Sequence, residues 1–366
     1  MSVKLFEPFT LRNIELANRA VVAPMCQYSA VHGQAQPWHL QHYGSLAVSG
    51  PGLVVIEATG VLPEGRISDG CLGLWDDATE AALANLVKTI KSFGLSRIGI
   101  QLNHAGRKGG GRKPWLGAGP ISPQWRIVAP SAIPIDSAAL MPAGLDEAEM
   151  ARIKDAFVAA VLRADRVGID VIELHSAHGY LLHQFLSPLS NQRRDAYGGS
   201  LENRCRFPLE VVASARAALP AHRPLGIRIS ATDWTDGGFT IDEAVVYAKA
   251  LKDAGLDFIC VSSGGNTPNA QIPVAPGYQV ELSRRIRREA GIATRAVGLI
   301  VTPRQAEDVL LAGDADLIAL ARGMLDNPRW VWHAAQILGA ETAYPPQYIR
   351  ASAKLWPGAR LARGGA

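Results

Sequence analysis

The sequence predicts a single α/β domain, a (β/α)8 TIM barrel with one long loop over its C-terminal rim. Three observations carry this. Eight short β-branched runs alternate with amphipathic stretches, the pattern of repeated βα units around a parallel sheet. Polar residues collect at the C-terminal ends of those runs, the face on which barrel active sites are built. No linker composition or charge block divides the 366 residues, a length that barrels of this kind reach as one domain.

In chain order, the apolar runs place strands over 20–23, 53–58, 97–102, 170–175, 225–230, 258–262, 294–297 and 317–321. Helical spacing fills the gaps, for example over 79–93, 146–167, 241–254 and 302–311. Asp146 followed by Glu149 forms a capping box at the start of the second of these helices. Thr302 before Pro303 supplies an N-cap and a first-turn proline to the fourth. Arg284, Arg285, Arg287 and Arg288 read as the solvated face of another helix. Residues 105–142 are rich in Gly and Pro without a period, so they form the long loop above the barrel mouth. Residues 333–366 form a tail that packs on the barrel or reaches a neighbouring subunit.

The bulk numbers narrow the function classes. A net charge of +4, from 37 basic and 33 acidic residues without a basic patch, does not point to nucleic acid. Residues 1–19 carry Lys4, Glu7, Arg12 and Glu15 and no apolar segment, so no signal peptide is expected. No 18-residue apolar run exists to span a membrane. Cys26, Cys71, Cys205 and Cys260 are far apart in the chain and form no C-x-x-C pair. Neither disulfides nor a cysteine metal site is expected, and a reduced cytoplasmic enzyme fits best.

The strand ends carry Cys26, Glu57, Gln101, His104, His175, Arg228, Ser230, Ser262, Gly298 and Arg322. Alternation puts Val171, Glu173 and His175 on one face of their strand, and Gly226, Arg228 and Ser230 on one face of the next. An arginine facing a barrel interior needs an acceptor-rich ligand or a carboxylate such as Glu173. His175-x-x-His178 followed by Tyr180 allows three readings: ordinary loop histidines, paired donors to one substrate oxygen, or two ligands of a metal-dependent barrel hydrolase. Gly298 and Ala321-Arg322-Gly323 end the last two strands, where such barrels bind phosphate, although two glycines also suit plain turns.

With these residues in place, the chain resembles the old yellow enzyme family, in particular the thermophilic-like class that includes the xenobiotic reductases. The resemblance rests on Leu5-Phe6-Glu7-Pro8, Asn18-Arg19, Ala23-Pro24-Met25-Cys26-Gln27-Tyr28, Glu57-Ala58-Thr59 and Glu64-Gly65-Arg66-Ile67. It continues through Gln101 to Lys108, Glu173 to Leu181 and Asp195 to Arg204, in the family's order. The resemblance implies non-covalent FMN, NAD(P)H as reductant and no metal. It places Ala23, Pro24, Met25 and Cys26 along one edge of the flavin, with Ala58 and Gln101 near the pyrimidine and Arg228 at N1/O2. Gly298, Ala321 and Arg322 would hold the phosphate. His175 and His178 match the pair that binds a substrate oxygen, Tyr180 matches the proton donor, and Tyr28 lies beside the substrate. The implied reaction is ping-pong reduction of the activated C=C bond of an enone or nitroalkene by hydride from flavin N5. Gln347-Tyr348-Ile349-Arg350 resembles the segment that projects an arginine, here Arg350, into a neighbour's site in a homodimer or homotetramer. Asn103, Ser176 and Ala321 depart from the usual Ala, Gly and Gly.

Overall fold

The computed structural model describes residues 2–117, 119–121 and 125–362. Residues 118 and 122–124 of the expected long loop, and 363–366 of the expected tail, lie outside them. Eight parallel strands close into a barrel: β1 (Ala20–Val22), β2 (Leu53–Gly60), β3 (Arg97–Asn103), β4 (Val171–Ser176), β5 (Leu225–Ser230), β6 (Phe258–Ser262), β7 (Ala293–Ala296) and β8 (Leu317–Leu320). Each pairs with its successor and β8 with β1, so no edge is left open. β5 and β6 fall where the apolar runs place them, and the others shift at their ends by one or two residues.

Helices cover the barrel: α1 (Pro37–Ala47), α2 (Asp77–Lys91), α3 (Glu147–Arg166), the short α4 (Leu181–Leu186), α5 (Leu201–Ala218), α6 (Ile241–Asp253), α7 (Val280–Ala290) and α8 (Pro303–Leu311). The caps are those read from sequence. Asp146 accepts from the Glu149 N–H, and Thr302 accepts from the Gln305 N–H ahead of Pro303. α7 carries its four arginines on an outer face, where Arg285 meets Glu289 and Asp242, and Arg287 meets Asp316.

Two features were not legible in the periodicity. The strands Phe9–Leu11 and Ile14–Leu16 form an antiparallel hairpin with Arg12 at φ 49° in its two-residue turn. Its Leu11 and Leu16 pack with Val21, Leu53, Val171, Phe258 and Leu317, closing the N-terminal end of the barrel with an apolar plug. The second is a register shift between β2 and β3 at Ile56/Ala58. The bulge turns Glu57 toward α1 and the segment after β1, where its carboxylate accepts from the Tyr43 hydroxyl at 3.2 Å and the Gln27 N–H at 2.9 Å respectively. Glu57 therefore leaves the set of rim-facing residues. The expected loop over 105–142 is not wholly irregular: it holds 3-10 turns at Gly106–Lys108 and Pro114–Leu116, and Val128–Ala129 pairs with Ala143–Gly144.

Polarity rises along the barrel axis. Val171 lies in the apolar plug, Glu173 in the next inward layer and His175 at the top. Glu173 accepts from the Gln101 amide at 2.8 Å and pairs with Arg295, a wholly buried arginine stacked 5.4 Å from the Phe258 ring. Gly226 faces inward beside that ring, and a Cβ there would lie 2.3 Å from it. The glycine is what makes room for Phe258.

Candidate active site

The top of the barrel is organised by the turn after β4. His175 is the last-but-one residue of the strand, Ala177 to Gly179 reverse the chain, and Tyr180 occupies the N-cap of α4. The three candidate side chains the sequence groups are brought together: ring centroids lie 5.2 Å apart for His175–His178 and 4.8 Å for His175–Tyr180, both edge to face. His178 sits at φ 57° and Gly179 at φ 73°, left-handed conformations in successive residues. A β-carbon on Gly179 would strike the Gly265 carbonyl oxygen at 2.3 Å, so only glycine lets the two turns approach.

This strained turn is held from several sides. The Ser230 hydroxyl accepts from the His178 N–H at 2.9 Å. Lys108 Nζ donates to the carbonyls of His178 at 2.7 Å and Gly265 at 2.9 Å, and lies 5.1 Å from the Tyr180 ring. Burial, and then Arg107, lowers the Lys108 pKa to about 8. Beneath, His183 Nδ1 accepts from the Gly179 N–H at 2.9 Å, and its Nε2 faces Asp233 at 3.2 Å.

Protonation states follow from burial. Both site histidines are held well below the ordinary imidazole range, first by desolvation and next by the charge of Arg228. They are neutral at neutral pH. His175 Nδ1 accepts from the Ala177 N–H at 3.2 Å, which leaves the proton on Nε2, a donor free for a ligand. His178 Nε2 shares a 2.7 Å hydrogen bond with the Ser262 hydroxyl. Burial pushes the Tyr180 phenol up, followed by the charges of Cys26 and Tyr28, so Tyr180 keeps its proton. The arrangement places neutral donors beside one protonated acid.

Arg228 lies beside His175 in the β4–β5 register. Glu173 is taken by Arg295 and Gln101, which rules it out as the partner of Arg228. Arg228 is 9% exposed, and its Nε has no hydrogen-bond partner. A buried guanidinium without a carboxylate is costly unless a ligand answers it. The acceptor-rich edge of a flavin pyrimidine fits that demand. Around it, Ala23 is buried after β1, Pro24 and Met25 are half-buried, Ala58 resumes pairing after the bulge, and Gln101 is fixed on Glu173.

The last strand ends supply a second cation. Gly298 follows β7 at φ 112°, a value that by itself accounts for a glycine. Ala321 precedes the five-residue helix α9 (Arg322–Asp326), and Arg322 is exposed, with no hydrogen bond or ion pair among the described residues. These two loops follow neighbouring strands.

On the β1 side, Tyr28 adopts φ 50°. Its ring meets Trp115 of the long loop edge-on at 6.0 Å. The tail is placed differently from the rest. Helix α10 (Trp330–Leu338) presents Trp332 to Tyr344 at 4.4 Å and to Tyr348 at 6.0 Å, so the tail folds back on its own chain there. Arg350 is exposed and makes no hydrogen bond or ion pair among the described residues.

Sequence reasoning does not single out Arg295, Gly265 or the Lys108 clamp. Arg295 breaks an otherwise small, apolar strand, which is a signal; the contacts of Lys108 and Gly265 are long-range and leave none.

Comparison with known proteins gives the family and the fold. The model of the NADH:flavin oxidoreductase / NADH oxidase family matches residues 4–341. The NADPH dehydrogenase of Geobacillus thermodenitrificans is 46% identical over 352 residues, 96% of this chain and 99% of that protein. That of Bacillus velezensis is 45% identical over 353 residues, covering 96% and 100%. Among solved structures, morphinone reductase in complex with tetrahydroNAD superposes with a TM-score of 0.77 at 27% identity, covering 94% of this chain and 93% of its own. A 2-naphthoyl-CoA reductase superposes at 0.82 with 23% identity, a likeness of fold alone; the chain spans about half (52%) of its length.

Proposed function

The chain belongs to the NADH:flavin oxidoreductase / NADH oxidase family, the old yellow enzyme family, and from that premise we propose that it reduces activated C=C bonds. It is an NAD(P)H-dependent flavin oxidoreductase that uses FMN. The metal-dependent hydrolase alternative for His175 and His178 gives way to that assignment. The proposal concerns the substrate, an α,β-unsaturated carbonyl or nitro compound, and the roles of the named residues.

The observation that carries it is the clustered His175–His178–Tyr180 group at the end of β4, with both imidazoles neutral. His175 and His178 bind the substrate oxygen and polarise the conjugated alkene; the neutral ring needs no proton exchange to donate. Tyr180 holds the proton destined for Cα and delivers it from its hydroxyl. Bound FMN supplies the two-electron chemistry between NAD(P)H and the alkene, in a ping-pong cycle that uses one pocket twice. Arg228 would face the pyrimidine N1/O2 edge, Ala23 to Cys26 one flank of the ring, and Ala58 and Gln101 its pyrimidine end. Gly298, Ala321 and Arg322 would hold the phosphate. Tyr28 shapes the substrate face. Arg350, exposed on the tail, would enter the site of a second copy in a cytoplasmic homodimer or homotetramer.

Anaerobic stopped-flow with 2-cyclohexenone tests the reading. His175→Ala and His178→Ala should each slow the enone half-reaction by roughly 10²–10³, with less effect on reduction by NADPH. Tyr180→Phe should retain FMN and enone affinity while turnover falls. Histidine variants that reoxidise with enone at the parental rate would place the substrate oxygen elsewhere.

A further inference from the structure

The barrel interior carries one cation that the proposed reaction does not use. Arg295 on β7 is wholly buried and pairs with Glu173 on β4. β4 and β7 are not neighbours in the closed sheet, so the pair spans the interior. Glu173 uses both carboxylate oxygens: Oε2 accepts from Arg295 Nη2, and Oε1 accepts from Gln101 Nε2 at 2.8 Å. Arg295 Nε and Nη1 have no hydrogen-bond partner among the described residues. A pair so placed is weak evidence for stability, since apolar side chains of similar bulk often serve a core as well or better. Its effect falls on Gln101. A carboxylate oxygen only accepts, so the amide must turn Nε2 toward it and its own Oε1 the other way. Gln101 is 2% exposed, and that Oε1 accepts from no described residue.

We infer that Arg295 is a positioning residue for the cofactor: by keeping Glu173 an acceptor, it fixes the polarity of the Gln101 amide, whose Oε1 receives the N3–H of the flavin pyrimidine. Without the guanidinium, Glu173 becomes a lone buried carboxylate, and desolvation raises the pKa of such a group until it takes a proton from solvent. The protonated oxygen donates, so the Gln101 amide turns over to accept from it. Nε2 then meets N3–H donor to donor, and FMN loses that hydrogen bond. The other groups nearby do not stand in for Arg295. Gln101 on β3 and Phe258 on β6 carry no charge, and Cys260 lies opposite Arg295 in the β6–β7 register. His175, further along β4, is neutral, and Arg228 lies beside it, nearer the rim. The inference rests on the reading that Gln101 lies at the flavin pyrimidine, and it is independent of the enone substrate.

The test is FMN release from diluted holoenzyme, followed by flavin fluorescence over a pH series. In Arg295→Met, affinity relative to the parent should fall roughly 10- to 100-fold as pH is lowered, the scale of one buried unpaired donor, and recover as the carboxyl ionises again. The ratio to the parent cancels titration of the FMN phosphate itself. Arg295→Met combined with Glu173→Leu replaces the ion pair by apolar side chains, so it should fold even where the single variant does not. It should bind FMN more weakly than the parent, by a factor that does not change with pH. Parental affinity in the double variant would overturn the inference, as would a loss in Arg295→Met that is absent or equal at every pH. Gln101→Ala separates the inference from the reading beneath it. Unchanged FMN affinity there would take Gln101 away from the flavin, whereas weaker binding there with parental binding in the double variant would refute the role of Arg295 alone.

Discussion

At the scale of single residues, burial decides more than identity does. His175, His178, His104 and His42 are all held below the usual imidazole range, with desolvation as the leading cause. For the site pair this means neutral donors at working pH. For His104, 1% exposed and lowered to about 4 from 6.5, it has a thermodynamic consequence. The folded state keeps this ring neutral while the unfolded chain binds a proton below about pH 6.5. Stability from this group is therefore complete above the unfolded pKa and is lost as pH falls toward about 4. Between about pH 7 and 5 the loss is about 2 kcal/mol. His104→Gln should lower that fall by a similar amount, measured as the difference in urea unfolding free energy between the two pH values. An unchanged pH slope would show that His104 does not carry the charge cost. The positions of His175, Arg228 and Tyr180 were readable from strand alternation and motif. The neutral state of the imidazoles was not, because it depends on what the rest of the chain lays over them.

At the scale of elements, the site is a turn clamped between two others. The turn 177–180 is shaped by its own positive φ values and by Gly265, which approaches from the loop after β6. Gly265 has φ 90°, and a β-carbon on it would sit 2.7 Å from His178 Cα. Gly265→Ala should thus push back both the His178 backbone and the Lys108 anchor. The expected result is retained FMN with an enone half-reaction slowed roughly 10- to 100-fold, the scale on which small misplacements act. Parental rates with retained flavin would mean that the turn tolerates the shift. Periodicity gave the helices and strands on either side, whereas the bulge that withdraws Glu57 left no trace in it. An extra residue in a strand looks like strand in one-dimensional pattern, and only pairing with β3 exposes it.

At the scale of the whole molecule, the closed barrel, its capped helices and the polar rim are consequences of short-range pattern. Trp332, Tyr344 and Tyr348 tie the first part of the tail to α10, yet Tyr348, Ile349 and Trp356 remain 45%, 46% and 40% exposed. Aromatic and aliphatic surface of this kind suits a partner's cleft. With Arg350 acting in a second copy, deletion of residues after Ala343 should loosen the oligomer and change the enone KM while FMN stays bound. Sedimentation checks the first outcome and steady-state kinetics the second; an intact protein that is an active monomer at assay concentration, with the truncated form's KM, would refute a shared site. What the sequence alone determined was the eight-fold βα repeat, the helix caps and the identity of the rim residues, since each rests on periodicity or on neighbours within a few positions. The tertiary structure decided the pairing of Glu173 with Arg295 rather than Arg228, the apolar hairpin at the barrel floor, and the turn of Glu57 toward Tyr43. These join segments far apart in the chain, and only closure of the barrel determines which of the possible partners come within reach.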